Sequence, residues 1–129
     1  MLGAEGKAVK NWLIKDDVKY CRAMNDATEV RKVLVTGSAG RIGQAVVLEL
    51  LSRGHLVLGY DRHPSPNLDN AFVADLSDTE TLTEAMDSVE ALIHLAATPD
   101  DVDDVPAELF PANINSLYHV METARVAGV

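Results

Sequence analysis

From residue 31 onward, short apolar runs alternate with stretches of helical spacing. Lys32–Thr36 (K-V-L-V-T) is rich in β-branched residues and ends in a glycine turn, so it predicts a buried strand. Arg41–Arg53 places Ile42, Ala45, Val46, Leu48, Leu50 and Leu51 in a helical pattern, with Gly54 as the C-terminal stop. His55–Tyr60 predicts a second strand. Asp61–Asn70, with Pro64, Pro66 and Asn67, has turn chemistry. Ala71–Ala74 is a third, short strand, and Thr79–Asp87 a helix that Ser77 or Asp78 would cap. Ala91–Leu95 is a fourth strand. Pro99–Pro111 reads as an acidic loop with a helical turn at most. Asn113–Ala127 puts Ile114, Leu117, Tyr118, Met121 and Ala124 on one helical face, expected to be mostly core, and Gly128 ends it.

Strands alternating with helices or crossover loops imply an α/β fold with a doubly wound parallel sheet of the Rossmann type, in strand order 3-2-1-4. The last helix should deliver a fifth strand, and no residues follow to make it. The expectation is a sheet truncated after about four strands, the front part of a longer protein. Residues 1–30 follow neither period: Trp12, Leu13, Val18, Tyr20, Cys21 and Met24 allow at best a short helix around Val9–Met24. They are treated as an N-terminal extension of unread role, and 31–129 as a partial dinucleotide-binding domain.

The charge balance narrows the partners. Eleven Lys+Arg stand against 20 Asp+Glu, a net of −9. Every lysine lies between Lys7 and Lys32, and after Lys32 the basic residues are Arg41, Arg53, Arg62 and Arg125. Such a body has no electrostatic grip on nucleic acid or an anionic membrane. A single cysteine, Cys21, rules out an internal disulfide and suits a reducing compartment. No apolar run approaches the roughly 18 residues of a membrane span, and the N-terminus lacks a signal peptide's apolar centre. Cytoplasmic location is the default expectation.

The chemistry concentrates in Thr36-Gly37-Ser38-Ala39-Gly40-Arg41-Ile42-Gly43, a G-x-x-G-x-x-G turn between a predicted strand and a predicted helix. Gly37 permits a tight departure from the strand, and Gly40 lets backbone approach a pyrophosphate. Gly43 lets the helix pack close to the sheet. The helix N-terminus offers unpaired amides and positive dipole character to phosphates. Ser38 is read as a phosphate contact. Asp61, at the end of strand two, can accept hydrogen bonds from both adenosine ribose hydroxyls. Its carboxylate should repel a 2′-phosphate and favour NAD, whereas Arg62 and Arg41 would suit NADP, so NAD is preferred. The plainer alternative is a cofactor-free strand-to-helix turn.

On these residues, 31–129, about three-quarters of the chain, resembles the extended short-chain dehydrogenase/reductase family of NAD-dependent sugar epimerases and dehydratases. Val73-Ala74-Asp75-Leu76 resembles the stretch whose acid, here Asp75, and following residue, here Leu76, contact the adenine. His94-Leu95-Ala96-Ala97 resembles the H-x-A-A stretch whose backbone, here Leu95, Ala96 and Ala97, lines the nicotinamide side. Asn113 matches the asparagine that opens the next helix, and Ser116 stands where the family typically has glycine. The runs G-H-L-V-L-G-Y-D-R and H-L-A-A-T-P-D-D are similar to those of uronate and related sugar dehydrogenases. The resemblance implies a sugar or sugar-nucleotide substrate and a homodimer through the 113–127 helix.

It also implies a catalytic Ser/Thr with a Tyr and Lys spaced Y-x-x-x-K. Tyr20, Tyr60 and Tyr118 are followed four residues later by Met24, Pro64 and Glu122, and no lysine follows Lys32. No catalytic residue can be assigned within this chain. The reading is therefore the NAD-binding portion of such an oxidoreductase or sugar epimerase/dehydratase, with a catalytically silent dinucleotide-binding or sensor module as the alternative. Metal chemistry is not expected. His55, His63, His94 and His119 have no paired spacing, His94 reads as a satisfied strand residue, and Asp100–Asp104 reads as a solvated acidic loop.

Overall fold

The computed structural model describes residues 29–98 and 106–129. The expected helix around Val9–Met24 and the Asp100–Asp104 run lie outside them. The described chain forms β1 (Lys32–Thr36), α1 (Arg41–Ser52), β2 (Leu56–Asp61), β3 (Ala71–Val73), α2 (Thr79–Ala85), β4 (Ala91–His94) and α3 (Pro106–Ala127). The four strands are parallel and ordered β3-β2-β1-β4, the α/β topology expected from the alternation.

Register places Val33 between Val57 and Ala91, and Thr36 between Tyr60 and His94. Because successive side chains point to opposite faces, β1 splits its apolar residues between two cores. Val33 and Val35 join Val57 and the α1 residue Val47 on one face. Leu34 joins Tyr60 on the other, under Leu82, Ala85 and Met86 at α2 and Val120 and Ala124 of α3. The sheet is thus wound on both sides. Asp78 is the residue that caps α2, its carboxylate accepting the Thr81 amide at 3.1 Å. Gly54 and Gly128 adopt the left-handed backbone (φ 82° and 80°) that closes the helices before them.

Three details differ from the sequence expectation. The last helix starts at Pro106, seven residues before Asn113. Proline fits a helix's first turn because its missing N–H would have no intrahelical partner there. Pro111 then lies inside the helix, where it forfeits one backbone bond without ending it. Secondly, α1 does not bury the apolar set read from its pattern. Gly43 and Val47 are its buried residues, Val46 and Leu50 are half-buried, and Ile42, Leu48 and Leu51 are exposed. The helix lies so close over Gly43 that the glycine's side defines the packing face. Thirdly, the α3 face of Ile114, Leu117, Tyr118 and Met121 is exposed, and only Ala124 of that set is core. Val120 is fully buried instead.

Candidate dinucleotide-binding site

The strands of an open parallel sheet end together, and ligands of such folds sit beyond their carboxyl ends. A cleft of about 650 Å³ lies there, lined by Gly37, Ala39 and Gly40 from the turn and by Asp61, Arg62 and Asp75 from the ends of β2 and β3. Leu76 and the backbone run Leu95–Ala97 close it.

The turn is held from both sides. The Gly37 amide donates to the Tyr60 carbonyl at 2.8 Å, and its carbonyl accepts from Gly40 at 3.1 Å. Gly37 has φ 73°, and a Cβ on it would lie 2.7 Å from the Ala96 nitrogen, so both conformation and space demand glycine. A Cβ on Gly43 would lie 1.9 Å from the Gly37 carbonyl oxygen. Those two glycines are explained by the fold alone. Gly40 is not. Its backbone is extended (φ −69°, ψ 164°), and a Cβ there would meet only the Gly37 oxygen, at 3.3 Å. Gly40 also lines the cleft.

Behind Gly40 the amides of Arg41, Ile42 and Gly43 open α1. The first backbone bond closing this end runs from Gln44 to Gly40, at 2.9 Å, Gly40 has no side chain to cap the others, and no acid lies in the first turn. A helix start left without a side-chain cap and with no acid in its own first turn suits an anion.

Asp61 is fixed by backbone. One carboxylate oxygen accepts the Ala39 amide at 3.0 Å, and the other accepts the His63 amide at 2.9 Å. Each oxygen keeps a further acceptor site for a hydroxyl. Asp75 is held below the usual carboxylate range, chiefly by hydrogen bonds from Ser77 and also by the nearby Arg62 charge. The Tyr60 hydroxyl donates to the Asp75 carbonyl at 2.9 Å. Burial, with the charges of Asp78 and Asp75, pushes its pKa up to about 12, so it remains a neutral strut.

The side chains of three residues of the sequence motif stand elsewhere. The Ser38 side chain is buried and bonded to Ser65, and Ser38 is not among the residues lining the cleft. Ile42 is exposed, and with Arg41 it lines a separate apolar groove along α1. Arg41 therefore does not face the cleft. Arg62 does.

The cleft also gathers residues the sequence reading did not assign to a cofactor: Pro64, Ser77, Thr98, Asn115, Ser116 and His119. Asn113 does not open α3. It sits inside the helix and clasps the segment after β4, its amide oxygen accepting the Thr98 N–H at 2.7 Å and its amide nitrogen donating to the Thr98 carbonyl at 3.1 Å. The signal for this wall was the 3.6-residue spacing of Ala112, Asn115, Ser116 and His119, a polar stripe beside the apolar one. His94 is a strand residue with its ring nitrogen Nδ1 2.6 Å from the Thr36 hydroxyl, and burial lowers its pKa. No group of three or more His, Cys, Asp or Glu able to hold a metal occurs among the described residues. No described helix is long and apolar enough to cross a membrane.

The family model of the NAD dependent epimerase/dehydratase family matches residues 33–129. A 3 beta-hydroxysteroid dehydrogenase/Delta 5→4-isomerase of Mycobacterium tuberculosis is 33% identical over 122 residues, covering 84% of this chain and 33% of that protein. A short-chain dehydrogenase/reductase superfamily protein from Agrobacterium tumefaciens, solved with bound NAD, is 37% identical with a TM-score of 0.67, covering 76% of this chain and 30% of that one. The UDP-glucose 4-epimerase of Thermus thermophilus, solved with NAD, is 32% identical with a TM-score of 0.65, covering 76% and 35%. Uronate dehydrogenase from Agrobacterium tumefaciens shares the fold, at 24% identity. The chain spans about a third of the length of the curated relatives it matches. With its model matching residues 33–129, about three-quarters of the sequence, the chain belongs to the NAD dependent epimerase/dehydratase family.

Proposed function

We propose that this chain is the NAD-binding portion of an oxidoreductase or epimerase acting on a sugar or sugar nucleotide. The observation that carries the reading is Gly40, a glycine that lines the cleft at the start of α1 and whose replacement would meet one backbone atom, the Gly37 oxygen at 3.3 Å. In this reading the amides that open α1 hold the pyrophosphate, and Asp61 accepts from the adenosine ribose. Asp75 and Leu76 take the adenine, and Leu95–Ala97 line the nicotinamide side. NAD, when bound, supplies a hydride acceptor. NAD is favoured over NADP because a 2′-phosphate would lie against the Asp61 carboxylate, and Arg62 offers only one compensating charge.

Support for the substrate class comes from the epimerase/dehydratase family and from relatives such as the UDP-glucose 4-epimerase. Residues 31–129 form a partial domain in this reading, residues 1–30 an extension, and the location is cytoplasmic. The exposed stripe Ile114, Leu117, Tyr118 and Met121 on α3 suits a homodimer contact. The alternative reading is a catalytically silent NAD-binding module.

Calorimetric titration with NAD tests the first statement. The chain should bind, and Gly40→Val should abolish binding while circular dichroism stays unchanged. No heat from the folded wild type overturns the reading. The intact mass of the native protein separates enzyme from module: a value near 13.9 kDa favours the module, and one above roughly 30 kDa the enzyme.

A further inference from the structure

Beneath the phosphate turn lies a pair of buried hydroxyls that the cofactor reading does not use. Ser38 Oγ and Ser65 Oγ are 2.5 Å apart, in residues only 1% and 8% exposed. They sit over Gly59 of β2, where a Cβ would lie 2.7 Å from Ser38 Oγ, 2.9 Å from Leu68 Cδ1 and 3.1 Å from Ser65 Oγ. The strand gives up a side chain at that position to make room for the pair.

The two serines belong to the two segments that meet at the adenosine end of the cleft. Ser38 is in the turn, next to Ala39, whose amide holds one oxygen of Asp61. Ser65 is in the segment that follows Asp61, two residues after His63, whose amide holds the other oxygen. The Ser65 carbonyl also accepts the Leu68 amide at 3.3 Å, so the segment folds back over its own anchor. Arg62 and His63, exposed at the cleft's rim, are tethered at one end by β2 and at the other by Ser65.

We propose that Ser65 is a positioning residue for cofactor selection: bonded to Ser38, it holds residues 62–65 against the turn and so fixes the Asp61 carboxylate toward the adenosine 2′-hydroxyl. The proposal rests on the assignment of the cleft to a dinucleotide. Neither serine lines the cleft. Without the clasp the segment lifts, the His63 amide leaves Asp61, and Arg62 becomes free to swing toward a 2′-phosphate. Discrimination relaxes even where affinity survives.

The test is titration of NAD and of NADP into the wild-type chain, Ser38→Ala, Ser65→Ala and the double alanine variant, with thermal midpoints recorded in parallel. Each single variant strands one buried hydroxyl and lowers the midpoint, and the double variant, which strands neither, recovers much of it. The ratio of NADP to NAD dissociation constants should fall about threefold to tenfold in all three, the double variant included, given the modest net worth of one hydrogen bond. A merely structural pair would move the midpoint and both affinities together. The proposal is overturned if the double variant regains the wild-type ratio along with its midpoint, or if no variant changes the ratio. Wild-type chain that binds neither dinucleotide overturns the cofactor reading itself and the clasp with it, whereas wild-type chain that binds both equally leaves the cleft a dinucleotide site and overturns the NAD preference and the clasp.

Discussion

The two faces of the sheet are built differently from the same strands. One carries Leu34, Tyr60, Leu82, Met86 and Val120, all nearly or fully buried, beneath two helices. The other carries only valines in its buried core, beneath α1 alone, and leaves Ala91, Ile93 and Leu95 half-buried. Gly43 is pressed on the Gly37 carbonyl, and the larger side chains of this face, Leu50, Leu68, Ile93 and Leu95, are only partly buried around the valines. The face with two helices holds the fold together. The close approach on the face with one helix presents the start of α1 to the strand ends, and so forms the cleft.

Deleting volume from the two-helix face should show the largest effect. Leu82→Ala should cost about 3 kcal/mol in urea unfolding, whereas Val47→Ala on the other face should cost about 1.5 kcal/mol, two methyl groups' worth. Equal losses would erase the distinction between the faces. Gly43→Ala sharpens it, because a Cβ forced onto backbone should destabilise by about 2–3 kcal/mol and displace α1. Gly40→Val, three residues earlier, loses an N-cap preference of about 1 kcal/mol and meets the Gly37 oxygen at 3.3 Å rather than 1.9 Å, so it should destabilise less than Gly43→Ala while removing NAD binding. If both glycine variants merely unfold, the turn has one role and not two.

A smaller effect is expected from acid. Burial depresses the His94 pKa below its ordinary 6.5, so folding favours the neutral ring. The stability this contributes is complete above pH 6.5 and drains away as pH falls through the lower folded value. The carboxylates of Asp75 and Asp78, whose pKa values lie below 3.8, remain charged through that window. The urea midpoint should therefore drop between pH 7 and pH 5, and His94→Gln should flatten that slope. An unchanged slope would show that the Thr36–His94 bond is indifferent to the proton. On the outer side of α3, Met121→Asp should leave the unfolding midpoint within about 0.5 kcal/mol. In sedimentation it should shift any dimer of the native protein toward monomer; no shift removes the stripe as an interface.

Most strands and the turn were readable because their cause is local. β1 begins and ends where its β-branched run does, and the other strands fall within a residue of their expected bounds. The G-x-x-G-x-x-G spacing names a backbone shape that nothing else performs as well. Helix faces were read less well. Ile42 and Leu48 match a 3.6-residue pattern as well as Val47 does, and only the angle at which α1 meets the sheet decides which is covered. Pro111 looked like a boundary because proline usually is one, yet the helix beginning at Pro106 absorbs it.

The sequence by itself determined the alternation, and with it the parallel sheet, the glycine turn and the carboxylate at the end of β2, since each depends on residues adjacent in the chain. Tertiary structure alone decided which groups share the cleft. The Ser38 side chain is paired with Ser65, 27 positions away, and lies outside the cleft lining. Asn113 became a clasp on Thr98 because helix and strand end meet in space. Arg41 and Arg62, alike on paper, parted because one starts a helix pointing along its flank and the other follows a strand ending at the cleft. Local pattern fixes backbone conformation, whereas the partners of a side chain depend on contacts between segments far apart in sequence.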